Sequence, residues 1–404
     1  MAFNLEGIKV METASVYAGP MAGRLLADWG AEVVHIEHPV RGDIARSESS
    51  KRGGKIIQSD INYRLENYNR NKRSITLDLS LEGGRKVLYK LLETADVFIS
   101  NFRPREIKAY GLEYETLNRL NPGIIRANIS GYGRKGPDSD LPGYEFTSYF
   151  PRTGMLHVLQ TPGGGPGLPP YGLGDNVAAM ALACGIMTSL FIRERTGIGQ
   201  EVDVSLFQAG VYALSLDIAG SLVTGQDRRQ VETRDVANPL VSPYRTRDER
   251  WLYLGVSQPD LYWSRFCRAI GREDLENDPR FATFDLRIEN HVDLSHILEE
   301  VFQGRTLEEW KVPLNDAGLP WAPVQNLPET AADPQARAND FYVAYDHPTY
   351  GRIEGVANPI QLGRTTAGVT RPAPELGQHT EEVLLEHGYT WEDIERLKQQ
   401  GVIA

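Results

Sequence analysis

Cysteine is nearly absent from this chain: there are two in 404 residues, Cys184 and Cys267, far apart and in apolar surroundings. That rules out a disulfide framework and a cysteine metal site, and both are expected to be buried thiols in a reducing compartment. Eight histidines are scattered without metal-ligand spacing, and no His-Glu-x-x-His helix occurs, so no metal is expected. Also missing is the Gly-x-x-x-x-Gly-Lys-Ser/Thr phosphate loop. The nucleophile elbow Gly-x-Ser-x-Gly is absent, since Asn128-Ile129-Ser130-Gly131 fails at its first glycine. The turn Ser15-Val16-Tyr17-Ala18-Gly19 lacks the paired glycines of a dinucleotide site. Basic blocks are absent too: 43 Lys and Arg against 54 Asp and Glu leave a net charge of -11, which excludes a nucleic-acid partner. Met1-Ala2-Phe3-Asn4-Leu5 has no charged stretch leading into an apolar one, so no signal peptide is expected. The longest apolar stretch, Val177 to Ile192, is short for a membrane span and reads as a buried helix. The expectation is a cytoplasmic protein with no membrane partner.

What is present is an alternation of strands and helices. Ile8–Glu12 reads as a strand, Pro20–Trp29 as a helix closed by Gly30, and Glu32–Glu37 as the next strand. The pattern continues with strand Ser74–Leu79, helix Leu81–Thr94, strand Val97–Ser100, helices Pro104–Tyr110 and Tyr114–Leu120, and strand Ile124–Ile129. Such alternation predicts an α/β fold with a mostly parallel sheet. From Gly131 to Gly174 the pattern gives way to a Gly-, Pro- and Tyr-rich loop, which in an enzyme is usually functional. A long helix to about Glu194, strand Gln200–Val204 and a helix to about Val223 follow. The length suits two or three domains, with residues 1–224 read as a large domain, 225–325 as a small one, and 326–404 as a C-terminal part. In the small domain, strand Trp251–Gly255 and helices near 259–270, 286–302 and 306–316 are expected.

Asp175 stands where the loop meets the long helix, in Tyr171-Gly172-Leu173-Gly174-Asp175-Asn176. The plain reading is an N-cap, an Asp accepting bonds from first-turn amides. The chemical reading is compatible with it. The positive end of the helix would keep the carboxylate ionised, and an ionised Asp can attack a thioester to form an anhydride. Gly172 and Gly174 would let backbone amides approach and hold an oxyanion. Glu145 is the expected second carboxylate, orienting or protonating.

Short stretches in order then point to a family: Leu5-Glu6-Gly7-Ile8-Lys9-Val10, Ala18-Gly19-Pro20, Gly30-Ala31-Glu32-Val33-Val34-His35-Ile36-Glu37 and Asn71-Lys72-Arg73-Ser74-Ile75. After them come Ala95-Asp96-Val97, Asn101-Phe102-Arg103-Pro104, Gly131-Tyr132-Gly133, Gly174-Asp175 and Leu376-Gly377-Gln378-His379-Thr380. Through these the chain resembles the class III CoA-transferases over nearly its whole length. The resemblance implies a Rossmann-like large domain to which residues 326–404 return, a smaller α/β domain and an interlocked dimer. It also implies that Asp175 carries acyl-anhydride and aspartyl-CoA intermediates, with CoA or acyl-CoA as substrate and no permanently bound cofactor. Its CoA contacts fall on Val16, Ala18, His38, Leu77, Leu79, Ser80, Asn101 and Phe102. His38 replaces a commoner arginine and Ala109 stands where a basic residue often meets phosphate; Arg103 or Lys108 is expected to compensate. The glycine-rich lid is replaced by Gly255-Val256-Ser257-Gln258.

Gly136-Pro137-Asp138 through Thr147, Asn238-Pro239-Leu240 and Ala338-Asn339-Asp340-Phe341 resemble the subgroup acting on 2-hydroxy and aromatic acids, including phenyllactate and benzylsuccinate enzymes. Tyr17 and Tyr144 are expected at the substrate, with Phe146, Tyr149 and Phe150 walling an aromatic acyl group and Arg152 clamping a carboxylate. Partners are expected to be acyl-CoA, carboxylic acids and a second subunit, in a homodimer, heterodimer or heterotetramer. Two alternatives stand beside this. An α-methylacyl-CoA racemase or epimerase shares the fold, but its pattern has a histidine where Tyr144 stands. The other is a non-catalytic subunit of a heteromeric transferase.

Overall fold

A computed structural model describes residues 4–47, 59–228, 232 and 235–404. The chain divides into two units, one of residues 1–157, 168–226 and 337–404, the other of 158–167 and 227–336. The small unit therefore runs past the expected end at 325 and takes in part of the Gly-rich loop.

The large unit is built on six parallel strands: β1 (Lys9–Glu12), β2 (Glu32–Glu37), β3 (Arg73–Thr76), β4 (Val97–Ser100), β5 (Ile125–Ser130) and β6 (Glu201–Ser205). Their order is β3-β2-β1-β4-β5-β6, a doubly wound sheet that reverses direction between β1 and β4. Strands β3 and β4 are buried along their whole length, which is why Val-Phe-Ile-Ser reads as a continuous apolar run and not as an alternation. One core cluster joins Leu25, Leu26, Val97, Ala178, Leu182 and Ile186; a second joins Val34, Ile75, Leu88, Phe98, Leu117 and Val383.

The C-terminal return is fastened mainly through backbone groups. The Asp78 amide bonds to the Val402 carbonyl at 2.9 Å, the His379 amide to the Ser74 carbonyl at 2.9 Å, and the Ala404 amide to the Thr76 hydroxyl at 3.0 Å. A hairpin not anticipated from the sequence, β10 (Tyr342–His347) with β11 (Gly351–Val356), also belongs to this unit. It is stitched in by the guanidinium groups of Arg24 and Arg70, which donate to the Val356 carbonyl at 2.6 and 2.8 Å.

The long helix spans Leu173–Thr196 and is long and apolar enough to cross a membrane by length and composition. One face, including Ala178, Ala179, Leu182, Ala183 and Ile186, is buried and packs along helix Ala18–Asp28. The other is not: Phe191 and Cys184 are exposed, so the reading as a buried helix holds for one face only, and the expectation of a buried thiol at Cys184 is corrected. The next helix, expected to run unbroken to Val223, is two, Leu206–Ala213 and Ser215–Thr224, bent by 79°.

The small unit carries an antiparallel sheet of β7 (Pro243–Arg245), β8 (Trp251–Leu254) and β9 (Trp321–Pro323). Helices Pro259–Ala269, His291–Gln303 and Leu307–Asp316 pack their aromatic faces into one core of Trp263, Phe266, Phe281, Phe302 and Trp310. The helix expected over 286–302 is interrupted at Asn290, which separates Phe284–Glu289 from His291–Gln303.

Candidate active site

In a doubly wound sheet, the loops leaving the strand ends on either side of the reversal diverge and open a crevice. Here Ser15–Ala18 follows β1, Asn101–Arg103 follows β4, and Gly131 follows β5. All three segments line a cavity of about 820 Å³. Asp175 closes it from the first turn of helix Leu173–Thr196, and Tyr144, Glu145, Phe146 and Tyr171 come from the loop before that helix.

Asp175 is not the N-cap. Gly172 holds that position with φ 78°, and Asp175 lies inside the first turn. The cap is supplied from a distance by Glu145, whose carboxylate accepts from the Gly172 amide at 2.6 Å and the Gly174 amide at 2.9 Å. Those amides are therefore taken and do not form the oxyanion pocket expected of them. Glu145 opens a π-helix, Glu145–Tyr149, and is 2% exposed; it holds the helix start instead of facing open solvent. Gly174 is required by close packing, since a Cβ there would stand 2.5 Å from Tyr149 Cγ.

The electrostatics also differ from expectation. Burial first, and the negative Glu145 second, push Asp175 up from 3.8 to about 7. The helix end does not keep it fully ionised, because its first amides serve Glu145 and desolvation wins. Glu145 is itself raised by burial, opposed by its backbone bonds.

Of the other predicted residues, Val16, Tyr17, Ala18, Asn101, Phe102, Arg103 and Tyr144 line the same cavity. His38, Leu77, Leu79 and Ser80 line a second one of about 310 Å³, which shares Ser15, Ile44 and Phe102 with the first. Asn101 is already occupied: its amide donates to the Ser15 carbonyl at 2.9 Å and accepts from the Ser15 amide at 3.3 Å. Arg103 is forked onto Glu106, with both bonds 3.0 Å.

Arg152 and Lys108 line neither cavity. Arg152 pairs with Asp138 at 2.6 Å and lies over the rings of Tyr132 and Phe207. Tyr149 and Phe150, 2% and 1% exposed, are core residues, whereas Phe146 does reach the cavity. Arg41, in the second cavity, and Tyr68 were missed by sequence reading. Tyr68 stacks on Tyr17 at 4.6 Å and is raised by burial and by the charges of Asp175 and Glu145. Neither had a motif to announce it.

A CoA-transferase family III profile matches residues 5–380. The chain belongs to CoA-transferase family III. It is 34% identical to (R)-2-hydroxy-4-methylpentanoate CoA-transferase of Clostridioides difficile over 99% of both chains. It is 35% identical to cinnamoyl-CoA:phenyllactate CoA-transferase of Clostridium sporogenes, over 97% of this chain and 95% of that one. Among solved structures, a CAIB/BAIF family protein from Brucella suis superposes with a TM-score of 0.82 at 28% identity, covering 96% of this chain and all of that one. This family III transferase is an enzyme that moves CoA, with CoA thioesters as its substrates.

Proposed function

We propose that the transferase carries CoA on Asp175, taking it from a donor such as succinyl-CoA or an aromatic acyl-CoA and passing it to an aromatic, 2-hydroxy or dicarboxylic acid. The observation that carries this is Asp175 itself, a carboxylate 8% exposed at the wall of the large cavity. Its oxygen attacks the thioester carbonyl and expels CoA thiolate, leaving an acyl-aspartyl anhydride. The thiolate then attacks the aspartyl carbonyl, releasing the donor acid and leaving aspartyl-CoA. The acceptor carboxylate attacks that thioester, giving a second anhydride and thiolate. Attack of the thiolate on the acceptor's carbonyl makes the new acyl-CoA and restores Asp175.

Burial suits each step. A carboxylate stripped of water is a stronger nucleophile, and a dry cavity protects anhydrides from hydrolysis. Glu145 acts as a positioning group, fixing the turn that bears Asp175. Tyr17, Tyr144 and Phe146 supply aromatic walls for the acyl group. The second cavity would take the nucleotide end, between Leu77 and Leu79, with Arg41 as its phosphate partner in place of Lys108. No resident cofactor is needed. Helix Ser215–Thr224 buries none of its residues, and its apolar Leu216, Leu222 and Val223 are each more than 80% exposed, which supports a second subunit, identical or related, covering it. Residence in the cytoplasm belongs to the same reading.

The test incubates the protein with succinyl-, acetyl- and cinnamoyl-CoA against a panel of aromatic and 2-hydroxy acids, reading the thioesters by mass spectrometry. Hydroxylamine added during turnover is expected to label position 175, and Asp175→Ala to abolish exchange. Racemisation without exchange, or exchange surviving in Asp175→Ala, would overturn the reading.

A further inference from the structure

The lining of the Asp175 cavity contains a residue in a conformation its side chain disfavours. Val16 has φ 75°, the left-handed region, where a β-branched residue is an outlier. Such a conformation persists only where the surroundings over-determine it. Here they do. The Val16 amide donates to both carboxylate oxygens of Asp43, at 3.0 and 3.1 Å, across 27 positions of sequence. On its other side, Ser15 is clamped by both ends of the Asn101 amide. The next residue, Tyr17, is stacked on Tyr68.

Asp43 is held firmly enough to act as an anchor. It is 2% exposed; its own amide donates to Glu37 at 2.9 Å, and its Oδ1 accepts from the Ala45 amide at 2.8 Å. Beside it lies a set of buried ionisable groups. His35 Nε2 stands 3.5 Å from Asp43 Oδ2, His35 Nδ1 is 2.6 Å from Glu12, and Lys72 Nζ is 2.8 Å from the same Glu12. Glu12, His35 and Lys72 are each at most 1% exposed. Burial and the bonds to Glu37 and Ala45 leave the carboxylate facing Val16 little freedom to turn away.

We propose that Asp43 is a positioning residue for CoA transfer, locking Val16 in the left-handed conformation so that the Ser15–Ala18 wall of the Asp175 cavity is preformed. The proposal rests on the reading of Asp175 as the reacting group. Asp43 matters because a valine must be held where only glycine goes freely, so glycine at that position makes the anchor dispensable. If Asp43 served only to cap the short Ile44–Ser47 turn, the residue at position 16 would make no difference.

The experiment is a double-mutant cycle in the full-length enzyme, with Asp43→Ala, Val16→Gly and both together, reading kcat, KM and melting temperature. Asp43→Ala is expected to lower kcat/KM about tenfold or more with Val16 present, and less than about threefold in the Val16→Gly background. The loss is expected in kcat, since the preformed wall serves the reacting thioester. An equal loss in both backgrounds, or no loss from Asp43→Ala, overturns the proposal. Should Asp43→Ala fail to fold, Asp43→Asn, which keeps one acceptor oxygen and the shape, is measured in the same two backgrounds by the same criterion. Hydroxylamine trapping in the wild type separates the two ideas. Absence of label at Asp175 defeats the nucleophile assignment, while the cycle, read as CoA exchange, decides Asp43 by itself.

Discussion

Replacing Asp175 by asparagine should stop CoA exchange and make the protein more stable at alkaline pH. The carboxyl is 8% exposed and raised from 3.8 to about 7, so its charged form is disfavoured in the folded state. At 1.36 kcal/mol per pH unit, the full penalty is ~4 kcal/mol. The sign follows from linkage. A group whose folded pKa lies above its unfolded one gives stability that is complete below 3.8 and is lost as pH rises through about 7. Most of the loss between pH 5 and pH 8, ~2–3 kcal/mol, should vanish when the ionisable group is removed. Urea unfolding of wild type and Asp175→Asn at pH 5, 6, 7 and 8 measures it. The expected result is a stability difference that widens with pH in favour of the variant. A constant offset, or a wild type more stable than the variant at pH 8, would refute the assignment of burial as the dominant influence on Asp175. In the same pH series, exchange by the wild type should rise through about pH 7 as the attacking group ionises.

Glu145→Gln leaves one oxygen for the two amides of Gly172 and Gly174, so unfolding should show a loss of ~1–3 kcal/mol. Because it also removes the negative neighbour, the rise of exchange with pH should move to lower pH in the surviving enzyme. Gly174→Ala drives a methyl against the Tyr149 ring and should destabilise by ~1–3 kcal/mol in thermal or urea melts while displacing Asp175. Arg70→Met leaves the buried Asp28 without one of its two arginines and should cost ~3–5 kcal/mol by urea unfolding. Arg152→Ala breaks an exposed pair with Asp138 worth ~0–1 kcal/mol, and acceptor KM should stay nearly unchanged in steady-state assays.

Local patterns located most of the strands and helices of the large unit, because buried parallel strands write themselves as short apolar runs and their helices carry Pro and Gly at the ends. Helix breaks were harder. Asn290 and Leu214 interrupt helices without Pro or Gly, and only packing decides that the chain turns there. The β10–β11 hairpin escaped because its strands are half exposed and are held by arginines more than 280 positions away.

By itself the sequence determined the family, the alternation that makes a doubly wound sheet, and the one aspartate placed where a glycine-rich loop enters a long helix. Those are statements about neighbours along the chain, and local residues suffice for them. Only the tertiary structure decided what surrounds that aspartate. It placed Glu145 on the first amides of the helix, moved Arg152 and Lys108 away from the cavities, and brought Asp43 under Val16. Each of these depends on which distant segments share a low-dielectric interior, where burial and a single nearby charge outweigh the helix end that the sequence advertises.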